Sequence, residues 1–253
     1  MEQILKIASV PARRISISVL IIFQSALRSF LFRIYLMFKS PSLLLELKNS
    51  KAQLFQDFFA LSIFGKDYAG YFVEFGATDG KALSNTFLLE KHYGWRGLLA
   101  EPGKIWHEKL LENRKCHISK LCIWNESEAF LNFSEASEPE LSTIKNFSHS
   151  DRHKNRSSKQ TYLVQTIQLD DLLDQVSAPQ EIDFLSIDTE GSEFEILNSL
   201  DFNKHNYKVI VCEHNYTSQR KLIFNLLTSK GYRRKLRIIS AWDDWYVLDV
   251  PQN

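Results

Sequence analysis

Tyr71-Phe-Val-Glu-Phe-Gly-Ala-Thr-Asp-Gly80 is an apolar run that ends in an acid and a glycine, with a second glycine four residues on. Leu98-Leu-Ala-Glu101 repeats the plan: a short apolar run closed by an acid, 21 positions past Gly80. In an open α/β sheet the first strand feeds a glycine turn that lets backbone come close to a ligand. The acid closing the second strand accepts hydrogen bonds from ribose hydroxyls. The two segments together predict a nucleoside pocket at the first crossover.

The charge of the loop narrows the nucleoside. The dinucleotide fingerprint G-x-G-x-x-G seats a pyrophosphate on a helix N-terminus. Here only G-x-x-x-G is present, and Glu74 and Asp79 lie in the loop. Carboxylates repel a pyrophosphate. They suit S-adenosyl-L-methionine, which carries an ammonium, a sulfonium and a ribose but no phosphate. Glu74, Gly76, Asp79 and Gly80 are expected at the amino-acid end of that ligand, and Glu101 at its ribose. Cys122, Ile123 and Trp124, after the third strand, are expected near the adenine. An NAD-dependent oxidoreductase is the rival reading and lacks its glycine spacing.

From Gly70 onward, strands and helices alternate. Strands are expected at 71–75, 97–100, 117–123, 129–133, 163–169, 182–187 and 207–212, with helices at 84–93, 104–113, 194–200 and 219–230. Tyr232 to Ile239 and Trp242 to Leu248 read as a closing hairpin. Parallel βαβ units ending in an antiparallel hairpin predict a doubly wound α/β sheet. Glu135 to Gln160 is polar and without strong periodicity, so it reads as a long loop. It contains the basic run Asp151-Arg-His-Lys-Asn-Arg156, a solvated loop or a lid for an anionic substrate.

A second acidic cluster follows the buried strand 182–187. Asp188, Glu190 and Glu193 crowd around Gly191, and Glu213-His-Asn215 follows the next strand. Both lie at carboxyl ends of strands, where such sheets bind ligands. Crowded like charges point to a cation or to a raised carboxyl pKa. Asp188, Glu213 and Asn215 offer hard oxygen ligands for Mg²⁺, or for Mn²⁺ if His214 joins. The structural alternative is that Asp188 and Glu190 cap the next helix and Glu193 pairs locally. His214 is the candidate general base.

Residues 1–69 differ in character. Between Gln3 and Leu45 there is no acid, while Lys6, Arg13, Arg14, Arg28, Arg33 and Lys39 are basic. Ile15 to Leu27 is the longest uncharged stretch there, short of the ~20 residues a spanning helix needs. Three readings are open: a basic amphipathic helix on an anionic membrane, a helix packed on the domain or a second subunit, and an organelle-targeting peptide. Leu43 to Phe64 reads as one further helix, closed by Gly65.

Over the whole chain, 31 basic residues balance 30 acidic ones, which excludes a general nucleic-acid binder. Cys116, Cys122 and Cys212 are an odd number without a CxxC, and read as buried thiols in a reducing compartment. The expected location is the cytoplasm, with membrane association through residues 1–45.

Phe72-Val-Glu-Phe-Gly-Ala-Thr-Asp-Gly80, Ser84-Asn-Thr86, Gly94-Trp-Arg-Gly-Leu-Leu-Ala-Glu-Pro102, Asp183-Phe-Leu-Ser-Ile-Asp-Thr-Glu-Gly-Ser-Glu193 and Glu213-His-Asn215 together resemble the FkbM methyltransferase family. The likeness runs from Gly70 to Leu248 and leaves residues 1–69 uncovered. It implies a class I, Rossmann-like domain over 70–250 with a seven-stranded sheet, preceded by a helical extension over 1–69. It also implies S-adenosylmethionine-dependent methylation, typically of a hydroxyl on a sugar or other small molecule, with Asn85 in the cofactor site. Asp188 would orient the acceptor hydroxyl, directly or through a metal, and His214 would take its proton. The family more often has Asn where Thr78 stands, and Ile or a Phe-like residue where Ala100 stands. The alternative is a membrane-associated interaction module that keeps the fold without the chemistry.

Overall fold

The computed structural model describes residues 17–148 and 156–249, with side chains from residue 23 onward. The first part of the chain forms α1 (Ile17–Lys39), α2 (Gln56–Phe64), β1 (Tyr71–Phe75), α3 (Phe87–Tyr93), β2 (Arg96–Ala100), α4 (His107–Asn113) and β3 (His117–Ser119). Next come β4 (Cys122–Ile123), β5 (Phe130–Ala136), β6 (Thr143–Ile144), β7 (Ser158–Ile167), α5 (Leu169–Gln175) and β8 (Glu181–Ile187). The last elements are α6 (Glu193–Ser199), β9 (Asn206–Glu213), α7 (Gln219–Ser229), β10 (Tyr232–Lys235) and β11 (Asp243–Leu248).

The main sheet has seven strands in the order β10-β11-β9-β8-β1-β2-β3. β3, β2, β1, β8 and β9 are parallel, and β11 runs antiparallel to both β9 and β10. The order reverses next to β1, so the crevice opens beyond the carboxyl ends of β1 and β8. This is the Rossmann-like class expected from the sequence.

Its central strands are buried on both faces, which explains their mostly apolar runs. Phe72, Leu99, Phe184, Val209 and Val211 point to one face, under α1, α2 and α3. Val73, Phe75, Leu98, Leu185, Ile187 and Ile210 point to the other, under α5, α6 and α7. Alternate residues therefore feed two separate cores.

Two expected elements differ from the observed ones. Leu43 to Phe64 is not one helix. Residues 41–43 and 47–49 form short 3₁₀ turns, and only α2 is α-helical. Ser50 donates to both carboxylate oxygens of Asp57 at 2.8 Å, and Phe55 takes a left-handed φ of 65°. These local bonds hold the chain in turns that helical spacing alone does not reveal.

The polar stretch 135–160 is also not simply a loop. β4, β7, β5 and β6 form a second, four-stranded sheet in that order, and β7 starts at Ser158, five residues earlier than expected. The third strand divides as well: β3 stays in the main sheet and β4 joins the small one. Residues 151–155 of the basic run lie outside the described residues.

α1 packs on the domain by its C-terminal half. Phe32 and Leu36 are fully buried. The Phe32 ring stacks on Phe55 at 5.3 Å and meets Trp245 edge-on at 6.1 Å. No helix among the described residues is long and apolar enough to cross a membrane.

Candidate functional site

A cavity of about 1200 Å³, counting its open mouth, lies beyond the carboxyl ends of β1, β2, β8 and β9. β1 contributes Glu74 and Phe75, and the turn after it contributes Gly76, Ala77 and Thr78. β2 contributes Ala100 and Glu101. Cys122, Ile123, Phe133 and Ile144 of the small sheet form a further wall.

Gly76 has no room for a side chain. Its φ is 76°, and a Cβ there would sit 1.6 Å from the carbonyl oxygen of Asp188. The turn thereby brings the ends of β1 and β8 together. Gly80 lies outside the cavity lining; its φ is 73°, and a Cβ would press on Leu110 and Arg114. Its conformation seats the loop on α4. Asp79 is also outside the lining, where its carboxylate accepts the backbone N–H groups of Lys81 and Ala82 at 2.8 Å.

Glu74 is occupied by its own loop. One carboxylate oxygen accepts the Asn85 N–H at 2.8 Å; the other accepts the Ser84 and Thr86 hydroxyls at 2.8 and 2.5 Å. Arg114, itself buried, donates to the Gly80 carbonyl, to Ser84 and to Thr86, and pairs with Glu90. Glu74 thus braces residues 84–86. That bracing sets Asn85 on the cavity wall, where its Nδ2 donates to Ser186 Oγ at 2.9 Å. Asn85 Oδ1 is buried and has no protein partner.

Glu101 lies on the opposite side. Its two oxygens accept the N–H groups of Thr78 at 2.9 Å and Gly103 at 2.7 Å. Burial pushes its carboxyl up to about 7, against those two bonds, which hold it down. Each oxygen keeps further lone-pair capacity.

The acids beyond β8 and β9 converge. Oxygens of Asp188, Glu190 and Glu213 lie within 4.8 Å of one another, and all three residues line the cavity. Burial raises the Glu213 carboxyl well above its ordinary range, and Asp188 and Glu190 raise it further. Glu190 Oε2 is 2.8 Å from Nη2 of Arg156, the last residue of the basic run. Asn215 lies behind this group, its Nδ2 3.5 Å from Glu190 Oε2. Glu190 adds a third close carboxylate to Asp188 and Glu213, and the Oδ1 of Asn215 is buried without a hydrogen-bond partner.

Glu193 does pair locally: Oε1 accepts the N–H groups of Thr189 and Gly191 at 2.9 and 3.0 Å. Thr143 of β6 donates to the carbonyls of Thr189 and Glu190, tying the small sheet to this loop.

His214 is set away from the cavity lining. Its Nδ1 accepts the Tyr216 N–H at 2.9 Å, and its Nε2 lies 3.7 Å from Asp244. Arg220 and Arg234 hold the Asp244 carboxylate. Burial pushes the imidazole down to about 4, which leaves it neutral at neutral pH.

Several residues of the site carry no sequence signal. Gln53 lines the cavity, and Gln56 donates to the buried Asp243 at 2.6 Å. Both belong to the segment before β1. Arg114 reads in sequence as one more basic residue after a helix. Trp106 and Trp242 also line the cavity. Cys122 and Ile123 line the cavity, whereas Trp124 packs edge-on against Phe147 at 5.8 Å.

The methyltransferase FkbM domain family matches residues 74–234, more than half of the sequence. The chain belongs to the FkbM methyltransferase family. Among solved structures it is similar to the methyltransferase FkbM of Methylobacillus flagellatus KT, at 16% identity and a TM-score of 0.45. That alignment covers 71% of this chain and 43% of the other, so the chain spans less than half of that relative's length. It is also similar to an O-methyltransferase from Bacillus cereus in complex with SAH: 14% identity, TM-score 0.40, covering 77% of this chain and 80% of that one. A third is the precorrin-6y C5,15-methyltransferase of Geobacter metallireducens GS-15: 14% identity, TM-score 0.40, covering 71% of each chain. A comparison with curated proteins gave no match.

Proposed function

We propose that the chain is an S-adenosyl-L-methionine-dependent O-methyltransferase acting on a hydroxyl of a small acceptor, a sugar or a related molecule. The observation that carries this is the Glu101 carboxylate, held on the cavity rim by Thr78 and Gly103 with acceptor capacity left over. The unpartnered Asn85 Oδ1 supports the fit, because it offers an acceptor to an ammonium donor. When bound, S-adenosylmethionine supplies a methyl group activated by a sulfonium.

Glu101 holds the ribose, Asn85 accepts from the ammonium, and Cys122 and Ile123 lie against the adenine. Glu74 acts one layer back, by fixing residues 84–86. Asp188 orients the acceptor hydroxyl. The proton lost from that hydroxyl passes to the Asp188–Glu213 group, whose crowding and burial favour proton uptake. This role falls to the carboxylates rather than to His214, which faces Asp244. The small sheet excludes water from one side of the cavity.

A second reading adds Mg²⁺ or Mn²⁺ at Asp188, Glu190 and Glu213. The close approach of their oxygens favours it, and a divalent ion lowers the pKa of a bound hydroxyl. The acceptor is a small molecule on this reading, with no nucleic acid. Three free thiols fit a reducing compartment such as the cytoplasm.

Isothermal titration with S-adenosylmethionine tests the first half. Binding by the wild-type chain, lost in Glu101→Ala, is expected. A folded protein that gives no heat supports the non-catalytic alternative. Mass spectrometry of cell extract with isotope-labelled cofactor tests the second half, and full activity in EDTA removes the metal.

A further inference from the structure

α1 has two apolar faces, and the domain covers one of them. Phe32 and Leu36 sit in the core. Phe23, Leu27, Phe30, Ile34 and Met37 follow one another at steps of four and three, and Phe38 lies four past Ile34, so all six share a second stripe along the helix. Phe23 is 65% exposed, Phe30 59% and Phe38 81%; Leu27 and Met37 are exposed as well. Scattered apolar residues on a surface are ordinary, but a continuous stripe marks an interaction site.

The charge of the segment selects what covers it. Residues 3–45 hold six basic residues and no acid, which leaves 25 basic and 30 acidic residues in the rest of the chain. Arg33 borders the stripe, three residues from Phe30 and four from Met37. A second copy of the helix would set cation against cation. An anionic surface is complementary. The described helix does not meet the requirement for crossing a membrane, so it would lie along one.

We propose that the outer face of α1 docks on an anionic lipid bilayer, with Phe23, Leu27, Phe30 and Phe38 in the interface and Arg33 near the headgroups. The inner face stays on α2 and β11, so the helix joins the domain to the lipid. This inference is independent of the methyl-transfer reading, because it uses no residue of the cavity.

Co-sedimentation of the full chain with vesicles is the test, using phosphatidylcholine alone and phosphatidylcholine with phosphatidylserine. Pelleting with the anionic vesicles is expected, weakening as salt is raised. The double substitution Leu27→Glu with Phe30→Glu should lower partitioning by roughly tenfold or more, with an unchanged circular dichroism spectrum and thermal midpoint. Arg33→Glu should lower it as well. Three results would overturn the proposal. The folded chain stays in the supernatant with both vesicle types; or the double variant binds as tightly as wild type; or ultracentrifugation shows a dimer that Phe30→Glu dissociates while no vesicle binding is found.

Discussion

Arg114 Nη1 lies 3.6 Å from Glu74 Oε2, with both side chains almost wholly buried. The guanidinium also reaches Gly80, Ser84, Thr86 and Glu90. One cation therefore holds together the two halves of the cofactor loop and α4. Removing one partner of such a group leaves uncompensated buried charge.

Arg114→Met should accordingly destabilise the fold by ~3–5 kcal/mol, read from urea unfolding. Its cofactor affinity should fall even where the variant is folded, because residues 84–86 lose their brace. A variant with wild-type stability would refute this account of the loop.

Glu101 gives binding a pH dependence. Burial pushes its carboxyl up to about 7, so protonation below that pH removes acceptor capacity. Affinity for S-adenosylmethionine should therefore fall as pH drops from about 8 to about 6. Glu101→Gln should weaken binding at the higher pH by ~1.5–3 kcal/mol and flatten the pH dependence. Calorimetry at several pH values reads both.

Asp188→Asn should retain cofactor binding while turnover falls by roughly 10²–10⁴. His214→Gln should keep turnover, since the ring is turned to Asp244 and is neutral at working pH. Any ionisation of the wild-type rate profile near neutrality should come from Glu101 and survive His214→Gln. Such an ionisation, abolished by His214→Gln, would restore the histidine as base.

Two buried carboxyls should each contribute less stability as pH rises. Burial raises Asp57 from 3.8 to about 7 and Glu101 from 4.5 to about 7. Between the unfolded and folded values the native state holds protons that the unfolded chain has released. The contribution of these two groups is then greatest below about pH 4 and lost above about pH 7, opposite in sign to that of His214 and Asp244. Asp57→Asn should flatten part of that slope in urea titrations at fixed temperature.

The central strands were legible because burial on both faces leaves mostly apolar runs, as in Tyr71–Phe75 and Glu181–Ile187. The acids at their ends were legible because a charge directly after a buried strand needs a reason. What partners each acid finds was not. Glu74 and Glu101 look alike in sequence, yet one is enclosed by three residues of its own loop and the other accepts two N–H groups at the rim. That difference depends on Arg114, remote from any motif, and on Gly103, one residue past the second strand's motif. The small sheet escaped notice because its short strands are partly polar, with only Cys122, Phe133, Ile144 and Val164 forming its core. Gln53 and Gln56 lie outside the motif-bearing region altogether.

Thr78, Glu190 and Asn215, one beyond the end of each of β1, β8 and β9, have φ values of 48°, 60° and 43°. None is glycine, the residue for which this backbone region is open at little energetic penalty; for others it typically costs ~1–3 kcal/mol. Glycine at 190 or 215 would relax the chain and at the same time delete a carboxylate of the cavity wall or the amide that contacts it. Robustness and reactivity thus compete at the same positions, and screens for thermostable variants should recover glycine there at the expense of turnover.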